Sequence, residues 1–492
     1  MYEAKYQRYI TQNVVRFAED EEVQACCKPL AKNGPHAGAP LFYDGDTVFV
    51  DNEDNHTMVI GPTGCKKTRT TVYTTVASII EAGESAVVND PKGEIYRHTA
   101  AKAEEKGVKV YVLNFRKPST SHFWNPLSQA YKFDERGMED ESMQCVNDFV
   151  ECVIKPAIEK THDNYWEKTS QSFLTALVLI LMKSATSKHF NLTNLLPFCY
   201  EENKDFLKKL LGSMEPTSTA AFGLHSVLDL EADKTRSCVY STLQSVISVF
   251  VENKSLLYML SDDSFNIEDL GKRQTLIYII YPDEKDNLNF LVNLFLTQCY
   301  ETLVATAAME RFDKLQVRVN FVLDEFSNLT PISKFDNRIS EARSKNIRYF
   351  LFVQSYGQLK DKYKECADTI LSNCNNWICF SSKEVNFLRK LSEICGKEVD
   401  YNGAQRDLIP ASSMQYFQKK QDSVEVLIIK QGLYPYVAKL PDFSVISLFK
   451  EYPMASIPRS KSFSKANFIT FSDWKEKIVR GEFTFPYKKA AS

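Results

Sequence analysis

The chain lacks a hydrophobic stretch long enough to cross a lipid bilayer. Its longest membrane-like run, residues 173–182, is far shorter than the roughly 20 residues that a spanning helix needs. The first residues, Met-Tyr-Glu-Ala-Lys, lack the apolar core of a signal peptide. We therefore expect a cytoplasmic protein that is soluble without detergent.

Disulfide frameworks, zinc sites and an excess of positive charge are also missing. The twelve cysteines form no Cys-x-x-Cys pair, and none lies at zinc-ligand spacing from a histidine, so they are typical of reduced, mostly buried thiols. The net charge of −3 gives no overall attraction to nucleic acid, so any DNA contact must come from a local patch or an assembled channel. At 492 residues, with 44% hydrophobic residues, the chain should form two or three globular domains.

What the chain does contain is a near match to the phosphate-binding pattern Gly-x-x-x-x-Gly-Lys-[Ser/Thr]. An apolar run leads into a loop and then a helical pattern, and the loop residues are Gly61, Pro62, Thr63, Gly64, Cys65, Lys66, Lys67 and Thr68. In such a loop, backbone N–H groups and a helix N-terminus bind phosphate. Lys67 would then reach the β- and γ-phosphates of ATP, and the Thr68 hydroxyl would bind Mg²⁺. The alternative is an ordinary Gly/Pro turn before a helix.

Lys66 stands where the pattern requires its second glycine. One alternative is that the Lys66 side chain points outward and the loop still binds phosphate. The other is that its Cβ distorts the loop, so that N–H groups miss the phosphate oxygens. We expect ATP binding with slow turnover, and a rate about tenfold higher in Lys66→Gly, which corresponds to about 1.4 kcal/mol of barrier.

The segments that follow the loop predict a parallel α/β sheet. A strand at 85–89 ends in Asn89-Asp90-Pro91-Lys92-Gly93-Glu94, and a further strand is predicted at 108–113. Ligand sites gather at the carboxyl ends of parallel strands, which makes Asp90 a candidate nucleotide-binding residue. The alternative for this segment is a polar turn before a helix.

A second candidate site element follows the apolar run 319–323. Asp324 and Glu325 end this predicted strand as a Walker B element, in which Asp324 would hold Mg²⁺ through water and Glu325 would polarise the attacking water. The next predicted strand, 348–353, ends in Gln354, which either senses the γ-phosphate or is a strand-end amide bonded to a loop. Arg343 and Arg348 precede that strand as candidates for an arginine finger reaching a neighbouring subunit, or as ordinary surface arginines.

The remaining patterns predict the domain organisation. A hairpin with an Asp44-Gly45 turn is expected over 39–51 as an antiparallel edge of the nucleotide-binding domain, and helices without strands over about 143–269. The tail from Lys450 has nine Lys/Arg and four Asp/Glu residues interleaved with aromatics. This composition is typical either of a segment that binds nucleic acid or another anionic partner, or of a tail packed on the body with its charges in solvent. The predicted segments are an N-terminal helical and loop segment (1–40), a nucleotide-binding domain (41–165 and 273–448), an all-α domain (166–272) and a basic tail (449–492).

These motifs together resemble the coupling proteins of type IV secretion and conjugation systems, the TraG/TraD group. The resemblance rests on the phosphate loop, Asn89-Asp90-Pro91-Lys92-Gly93-Glu94, Trp124-Asn125-Pro126-Leu127, Tyr165-Trp166, Leu323-Asp324-Glu325-Phe326 with Asn328-Leu329, and Val353-Gln354-Ser355 with Gln358-Leu359. It implies an α/β, RecA-like P-loop ATPase with an inserted all-α domain that assembles as a homo-hexamer.

The resemblance also implies partners. These are a relaxase bound to single-stranded DNA, the type IV secretion channel proteins and, since the usual N-terminal transmembrane hairpin is not seen, a small membrane-anchoring partner. Two alternatives stay open. One is a non-hydrolysing relaxosome receptor with a degenerate loop, and the other is a generic FtsK-like ring DNA translocase.

Overall fold

The computed structural model describes residues 15–158, 164–230, 233–282, 288–399, 403–450, 452–457 and 468–480. The strands in chain order are β1 Lys28–Pro29, β2 Pro40–Tyr43, β3 Val48–Val50, β4 His56–Ile60, β5 Ser85–Asn89, β6 Lys109–Asn114, β7 Thr275–Ile280, β8 Val319–Leu323, β9 Ile347–Val353, β10 Cys374–Cys379, β11 Lys397–Val399, β12 Gln405–Asp407, β13 Ser423–Lys430 and β14 Tyr436–Pro441.

The α-helices in chain order are α1 Asp20–Cys26, α2 Tyr73–Glu81, α3 Glu94–Glu105, α4 Ser128–Glu135, α5 Glu139–Ile158, α6 Asn164–Ser184, α7 Leu192–Leu195, α8 Lys204–Leu211, α9 Thr219–Leu228, α10 Asp233–Glu252, α11 Lys254–Met259, α12 Asp269–Lys272, α13 Asn289–Ala308, α14 Phe335–Ala342, α15 Tyr356–Tyr363, α16 Cys366–Asn373, α17 Val385–Cys395 and α18 Phe471–Val479. A π-helical turn, Thr68–Val72, leads directly into α2.

One large mixed sheet, in the order β14-β13-β10-β4-β9-β8-β5-β7-β6, confirms the predicted α/β class. The pairs from β10 to β7 are parallel, and the β10–β13 and β13–β14 pairs are antiparallel. Strands β4, β5, β7, β8 and β9 are buried along their whole length, which explains their mostly apolar sequences. Strand β9 lies between β4 and β8, so the segments that follow these three strands emerge side by side at one edge of the sheet.

The predicted hairpin is present as β2 and β3, but it is not an edge of the large sheet. Asp44 closes its turn by accepting hydrogen bonds from the backbone N–H groups of Asp46 (2.9 Å) and Thr47 (2.8 Å). The two strands pair with β1 in a separate three-stranded sheet of order β1-β3-β2. The prediction of an added edge strand was therefore wrong, because β3 uses both of its edges to pair with β1 and β2.

The chain divides into two compact units. One is drawn from residues 1–111, 268–283 and 303–456, and the other from 112–267, 284–302 and 457–492. Between β6 and β7, the described residues of the second unit contain helices and no strand, as predicted. Helices α4 and α5 already precede residue 166, so the helical region is longer than the predicted 166–272, and the domain boundaries themselves stay a prediction.

Close helix packing organises the helical unit. Gly223 lets α9 approach α6, because a Cβ atom at this position would lie 2.2 Å from the carbonyl oxygen of Ser172. Within residues 468–480 of the tail, Trp474 is 2% exposed and Phe471 packs against Phe198 with ring centroids 5.0 Å apart. This part of the tail is packed on its unit, while most of the predicted basic tail and residues 1–14 of the predicted N-terminal segment lie outside the described residues. No described helix combines the length and apolar character that crossing a membrane requires.

Candidate nucleotide site

The phosphate loop lies between the buried strand β4 and the π-helical turn that precedes α2. The backbone N–H of Gly61 donates to the carbonyl of Val353 at the end of β9, at 3.1 Å. Glycine is required at position 61, because a Cβ atom would lie 2.7 Å from the sulfur of Cys65 and 2.8 Å from Cβ of Phe380. Gly64 has φ +79°, a left-handed conformation that side chains disfavour. The loop therefore has the tight, glycine-dependent course that a phosphate-binding loop needs.

Lys67 is buried inside this loop. Its side chain is 5% exposed, and Nζ donates to the carbonyl oxygens of Gly61 (3.2 Å) and Val353 (3.0 Å). These acceptors hold the ammonium group at the centre of the loop, where phosphate oxygens could take their place. Thr68 is half-buried at the first position of the π-helical turn. Lys67 and Thr68 thus occupy adjacent positions at one loop-to-helix junction. Their contacts with phosphate and Mg²⁺ stay predictions.

Lys66 has the backbone conformation of the glycine that it replaces. Its φ is +71°, which for a residue with a Cβ atom costs about 1–2 kcal/mol. The side chain points away from the loop, and Nζ donates to the carbonyl of Gln421 and lies 3.7 Å from Oδ2 of Asp442. Of the two alternatives, the structure has the outward side chain. The tenfold gain in turnover expected of Lys66→Gly stays a prediction.

Asp324 directly follows β8 and lies in a buried and acidic environment. The side chain is 7% exposed. Burial raises the pKa of Asp324 to about 7; Glu325 and Asp90 raise it as well, while the nearby Lys67 lowers it. A divalent cation would relieve this accumulation of carboxylates, and oxygen ligands are those that Mg²⁺ prefers. The residues present therefore fit Mg²⁺, although the described residues contain no group of three or more His, Cys, Asp or Glu that could hold a metal alone. The remaining ligands would be nucleotide phosphates and water.

Asp90 follows β5, whose neighbour in the sheet is β8, so it lies close to Asp324. Its carboxylate accepts a hydrogen bond from the backbone N–H of Tyr96 at 2.8 Å, in the first turn of α3. Burial raises the pKa of Asp90 to about 6, and hydrogen bonds from the backbone N–H groups of residues 93–96 oppose this rise. The structure thus shows the turn-before-helix role, and nucleotide binding by Asp90 stays a prediction.

Glu325 and Gln354 are brought together by the adjacency of β8 and β9. The amide Nε2 of Gln354 donates to Oε2 of Glu325 at 2.8 Å. Glu325 has φ +53°, an unfavourable backbone conformation for a residue with a Cβ atom. This conformation and the Gln354 bond together fix where the Glu325 carboxylate can lie. Gln354 directly follows β9, and β9 lies between β4, which leads into the phosphate loop, and β8, which leads into the Walker B residues. Gln354 therefore lies between these two parts of the site.

The two arginines proposed as fingers lie at the opposite edge of the sheet. Arg348 is the second residue of β9 and is 1% exposed; it donates to Oδ1 of Asn320 (2.8 Å) and to a carboxylate oxygen of Glu84 (2.9 Å). Its interpretation as a finger was wrong, because a buried guanidinium with these partners cannot reach another subunit. Arg343 is exposed in the turn before β9, and its role towards a neighbouring subunit stays a prediction.

Sequence reasoning missed the residues that contact the loop from outside. Lys419 donates through Nζ to the carbonyl of Gly64, and Gln421 and Asp442 contact Lys66. No local pattern marks them, since each lies more than three hundred residues from the loop. Asp442, which directly follows β14, is buried, and a buried acidic residue requires a cationic partner.

A comparison with protein families finds one match. The family model described as "Type IV secretory system Conjugative DNA transfer" matches residues 8–407. No curated protein matches the chain significantly.

Similar solved structures include a plasmid coupling protein and VirB4. The plasmid coupling protein TrwB in complex with the ATP analogue ADPNP has a TM-score of 0.62 and 14% identity, over 92% of this chain and 97% of that one. The trigonal TrwBdeltaN70 form in complex with sulphate gives 0.63 and 14%, with the same coverage. VirB4 of Thermoanaerobacter pseudethanolicus gives 0.50 and 11%, over 84% of this chain and 98% of that one. These likenesses confirm the predicted fold, a RecA-like P-loop domain with an all-α domain.

Proposed function

Because the chain belongs to the type IV secretory system conjugative DNA transfer family, we propose that it is a coupling ATPase that recruits relaxase-bound single-stranded DNA to the secretion channel. ATP hydrolysis at the phosphate loop would drive or license the transfer. The single observation that carries the ATPase half is the order β4-β9-β8, which delivers the loop, Gln354 and the Asp324-Glu325 pair to one edge of the sheet. TrwB, which has the same fold, has been solved with ADPNP and with ADP and Mg²⁺.

Each residue of the site has a role in this reaction. Lys67 and the loop N–H groups bind the β- and γ-phosphates, in exchange for the Gly61 and Val353 carbonyls that Lys67 now contacts. Thr68 and Asp324 hold Mg²⁺, which when bound neutralises charge on the phosphates. Glu325 polarises the attacking water and accepts its proton, and Gln354 holds the Glu325 carboxylate in place through the 2.8 Å bond.

The ATPase proposal is tested by turnover with and without single-stranded DNA. We expect Mg²⁺-dependent hydrolysis that DNA stimulates and that Lys67→Ala abolishes. Lys397→Ala is the matched control, since Lys397 is an exposed lysine of the same unit on β11. Equal turnover in wild type and Lys67→Ala would show that the activity does not come from this loop.

A non-hydrolysing receptor is the second candidate, and Lys66 in the loop is the observation that favours it. This candidate predicts that ATP and relaxase bind while no phosphate is released above the Lys67→Ala background. A generic DNA translocase is disfavoured, because the family match is to conjugative transfer over most of the chain.

Recruitment is proposed to occur on the helical unit. A cleft of about 590 Å³ opens between α5, α6 and α9, and Glu151, Lys155 and Glu167 are among its lining residues. Phe222 also lines it with 68% of its surface exposed, which is unusual for so large an apolar side chain. An exposed aromatic beside mixed charges suits a polypeptide segment, so we assign this cleft to a relaxosome protein.

Point substitution tests this assignment in the intact chain. Phe222→Ser should weaken capture of the cognate relaxase about tenfold or more, because exposed aromatic anchors dominate interface energies. Phe312→Ser is the control, since Phe312 is 76% exposed and belongs to the other unit. Equal loss in both variants, or no loss in either, would contradict the assignment.

The remaining partners of the proposal are suggested by the family alone. They are a homo-hexameric ring of this chain, the type IV secretion channel proteins and a small membrane protein that holds the ring at the cytoplasmic membrane. We expect the protein in the cytosol when it is expressed without any other transfer protein. Pelleting with membranes under that condition would point instead to direct lipid binding.

A further inference from the structure

Two lysines tie the phosphate loop to the β13–β14 hairpin from outside. Lys66 Nζ donates to the Gln421 carbonyl and lies 3.7 Å from the Asp442 carboxylate. Lys419 Nζ donates to the carbonyl of Gly64. Gly64 and Lys66 are the two loop residues with left-handed backbones, at φ +79° and +71°. The contacts therefore hold the loop at its two least favourable backbone positions.

The hairpin is a firm anchor for these contacts. Ser423 at the start of β13 pairs with Pro441 at the end of β14, and the N–H of Asp442 donates to the carbonyl of Asp422 at 2.6 Å. The Asp442 carboxylate also accepts two hydrogen bonds of 2.7 Å from Arg69, in the π-helical turn that follows the loop. One buried carboxylate thus contacts the loop and the turn that begins the helix.

Burial alone would make this carboxylate a poor anchor at low pH. Burial raises the pKa of Asp442, but hydrogen bonds from Arg69 and Ser444 outweigh it and lower the pKa to about 2. Asp442 is therefore ionised at any working pH, and it remains a counter-charge for Lys66.

The left-handed backbone at residue 66 sets the direction of the neighbouring N–H groups. Glycine adopts this backbone freely, whereas a residue with a Cβ atom must be held in it. We propose that Lys66 is a positioning residue for the nucleotide phosphates, whose side-chain contacts with Gln421 and Asp442 hold the backbone that glycine provides in the usual motif. This inference rests on the proposed function, since it concerns nucleotide binding at the same loop.

The proposal predicts an order of affinities that bulk alone cannot produce. Lys66→Gly loses the contacts but regains the free backbone, so it should bind nucleotide within about threefold of wild type. Lys66→Ala keeps the Cβ atom and loses the contacts, so its affinity should fall about tenfold, or about 1.4 kcal/mol. Lys66→Arg retains a cation at the end of a long stem and should rescue binding. If bulk at position 66 were decisive, alanine would instead lie between glycine and lysine.

Substitution of Asp442 gives a second, independent test of the same proposal. Asp442→Asn should weaken binding more in wild type than in a Lys66→Gly background, because only the lysine depends on the carboxylate to hold residue 66. The difference between the two backgrounds removes the contribution of Arg69, which loses the same partner in both. Lys420→Ala is the control, since Lys420 is exposed on the same hairpin segment.

The experiment measures binding of a fluorescent non-hydrolysable ATP analogue with Mg²⁺ to the full chain, together with KM, kcat and thermal midpoint. Among the Lys66 variants, the expected result is weak binding and raised KM in Lys66→Ala only, with rescue by arginine. Binding by Lys66→Ala that equals wild type, or lies between the glycine and lysine variants, would overturn the inference. So would affinities that follow the thermal midpoints, because those would indicate a merely structural role.

Lys67→Ala separates this inference from the proposed function. Loss of binding in Lys67→Ala with full binding in Lys66→Ala would overturn the inference and leave the proposed function standing. A wild-type protein that binds no nucleotide would overturn both.

Discussion

Replacing Asp324 with asparagine should stabilise the protein while abolishing the Mg²⁺-dependent ATP hydrolysis that we propose for it. Asp324 is 7% exposed, and burial together with Glu325 and Asp90 raises its pKa to about 7 against the opposing effect of Lys67. The ionised form is therefore unfavourable in the folded protein without nucleotide and metal. Asparagine has nearly the same shape and carries no charge to bury.

The magnitude follows from the difference between the folded pKa, about 7, and the ordinary value of 3.8. Each pKa unit corresponds to about 1.36 kcal/mol, so the upper bound is about 4 kcal/mol. We expect about 1–3 kcal/mol, because relaxation of the protein and penetration of water around a buried charge reduce its penalty below this bound.

The sign of the pH dependence is set by proton binding. The folded chain binds the Asp324 proton more tightly than the unfolded chain does, so the contribution of Asp324 to stability falls as pH rises from about 3.8 to about 7. The full penalty applies above that range, and none applies below it. The advantage of Asp324→Asn should therefore be largest near pH 8 and nearly vanish near pH 4.

The assay is the thermal midpoint of both proteins in EDTA without nucleotide, at a series of pH values. Near pH 8 the midpoint of Asp324→Asn should be higher by a few degrees, since about 2–4 °C corresponds to each kcal/mol for a unit of this size. With Mg²⁺ and the ATP analogue added, only wild type should gain stability from the ligand. A variant that is less stable than wild type at pH 8, or a difference that is the same at pH 5 and pH 8, would refute the reasoning.

Three further substitutions test separate parts of the structure. Glu325→Gln should bind the ATP analogue nearly as wild type does and lose turnover about 100-fold or more, and phosphate release at the parental rate would show that Glu325 is not the base. Gly223→Ala should destabilise the helical unit by about 1–3 kcal/mol, because the added Cβ would lie 2.2 Å from the Ser172 carbonyl; an unchanged urea midpoint would contradict the packing. Arg348→Met should cost about 2–4 kcal/mol in urea unfolding by leaving Glu84 short of a buried partner, whereas a neutral effect would mean that the remaining partners of Glu84 suffice.

The parts of the site that could be predicted from the sequence are those whose chemistry lies in contiguous residues. The phosphate loop, with Lys67 and Thr68, and the Asp324-Glu325 pair each fill one loop at the end of one strand, so spacing alone indicates them. What spacing does not contain is the order of strands in the sheet. That β9 separates β4 from β8, and so places Gln354 beside Glu325, depends on pairings between strands distant in the chain.

The burial of Arg348 also depends on residues distant in the chain, and so it could not be predicted from the local sequence. A charged residue at the start of a strand usually reaches solvent, and so its position alone suggested a surface role. The side chain is instead buried, because Asn320 and Glu84 supply acceptors from two other strands or their ends. A buried guanidinium is acceptable only when such partners are present, and no local pattern announces them.

The backbone strain of the site is confined to its two functional loops. Lys66 and Glu325 both have positive φ, at +71° and +53°, although neither is glycine. Such conformations persist only where the surroundings hold them, and at both positions a hydrogen bond from a side chain does so: Lys66 to Gln421, and Gln354 to Glu325. The first of these bonds would fix the backbone around the phosphates of a bound nucleotide, and the second would fix the group proposed to polarise water. Phosphoryl transfer depends on positioning more than on covalent chemistry. A site for this reaction would therefore be expected to hold an unfavourable backbone conformation at these two residues, at a cost in folding stability.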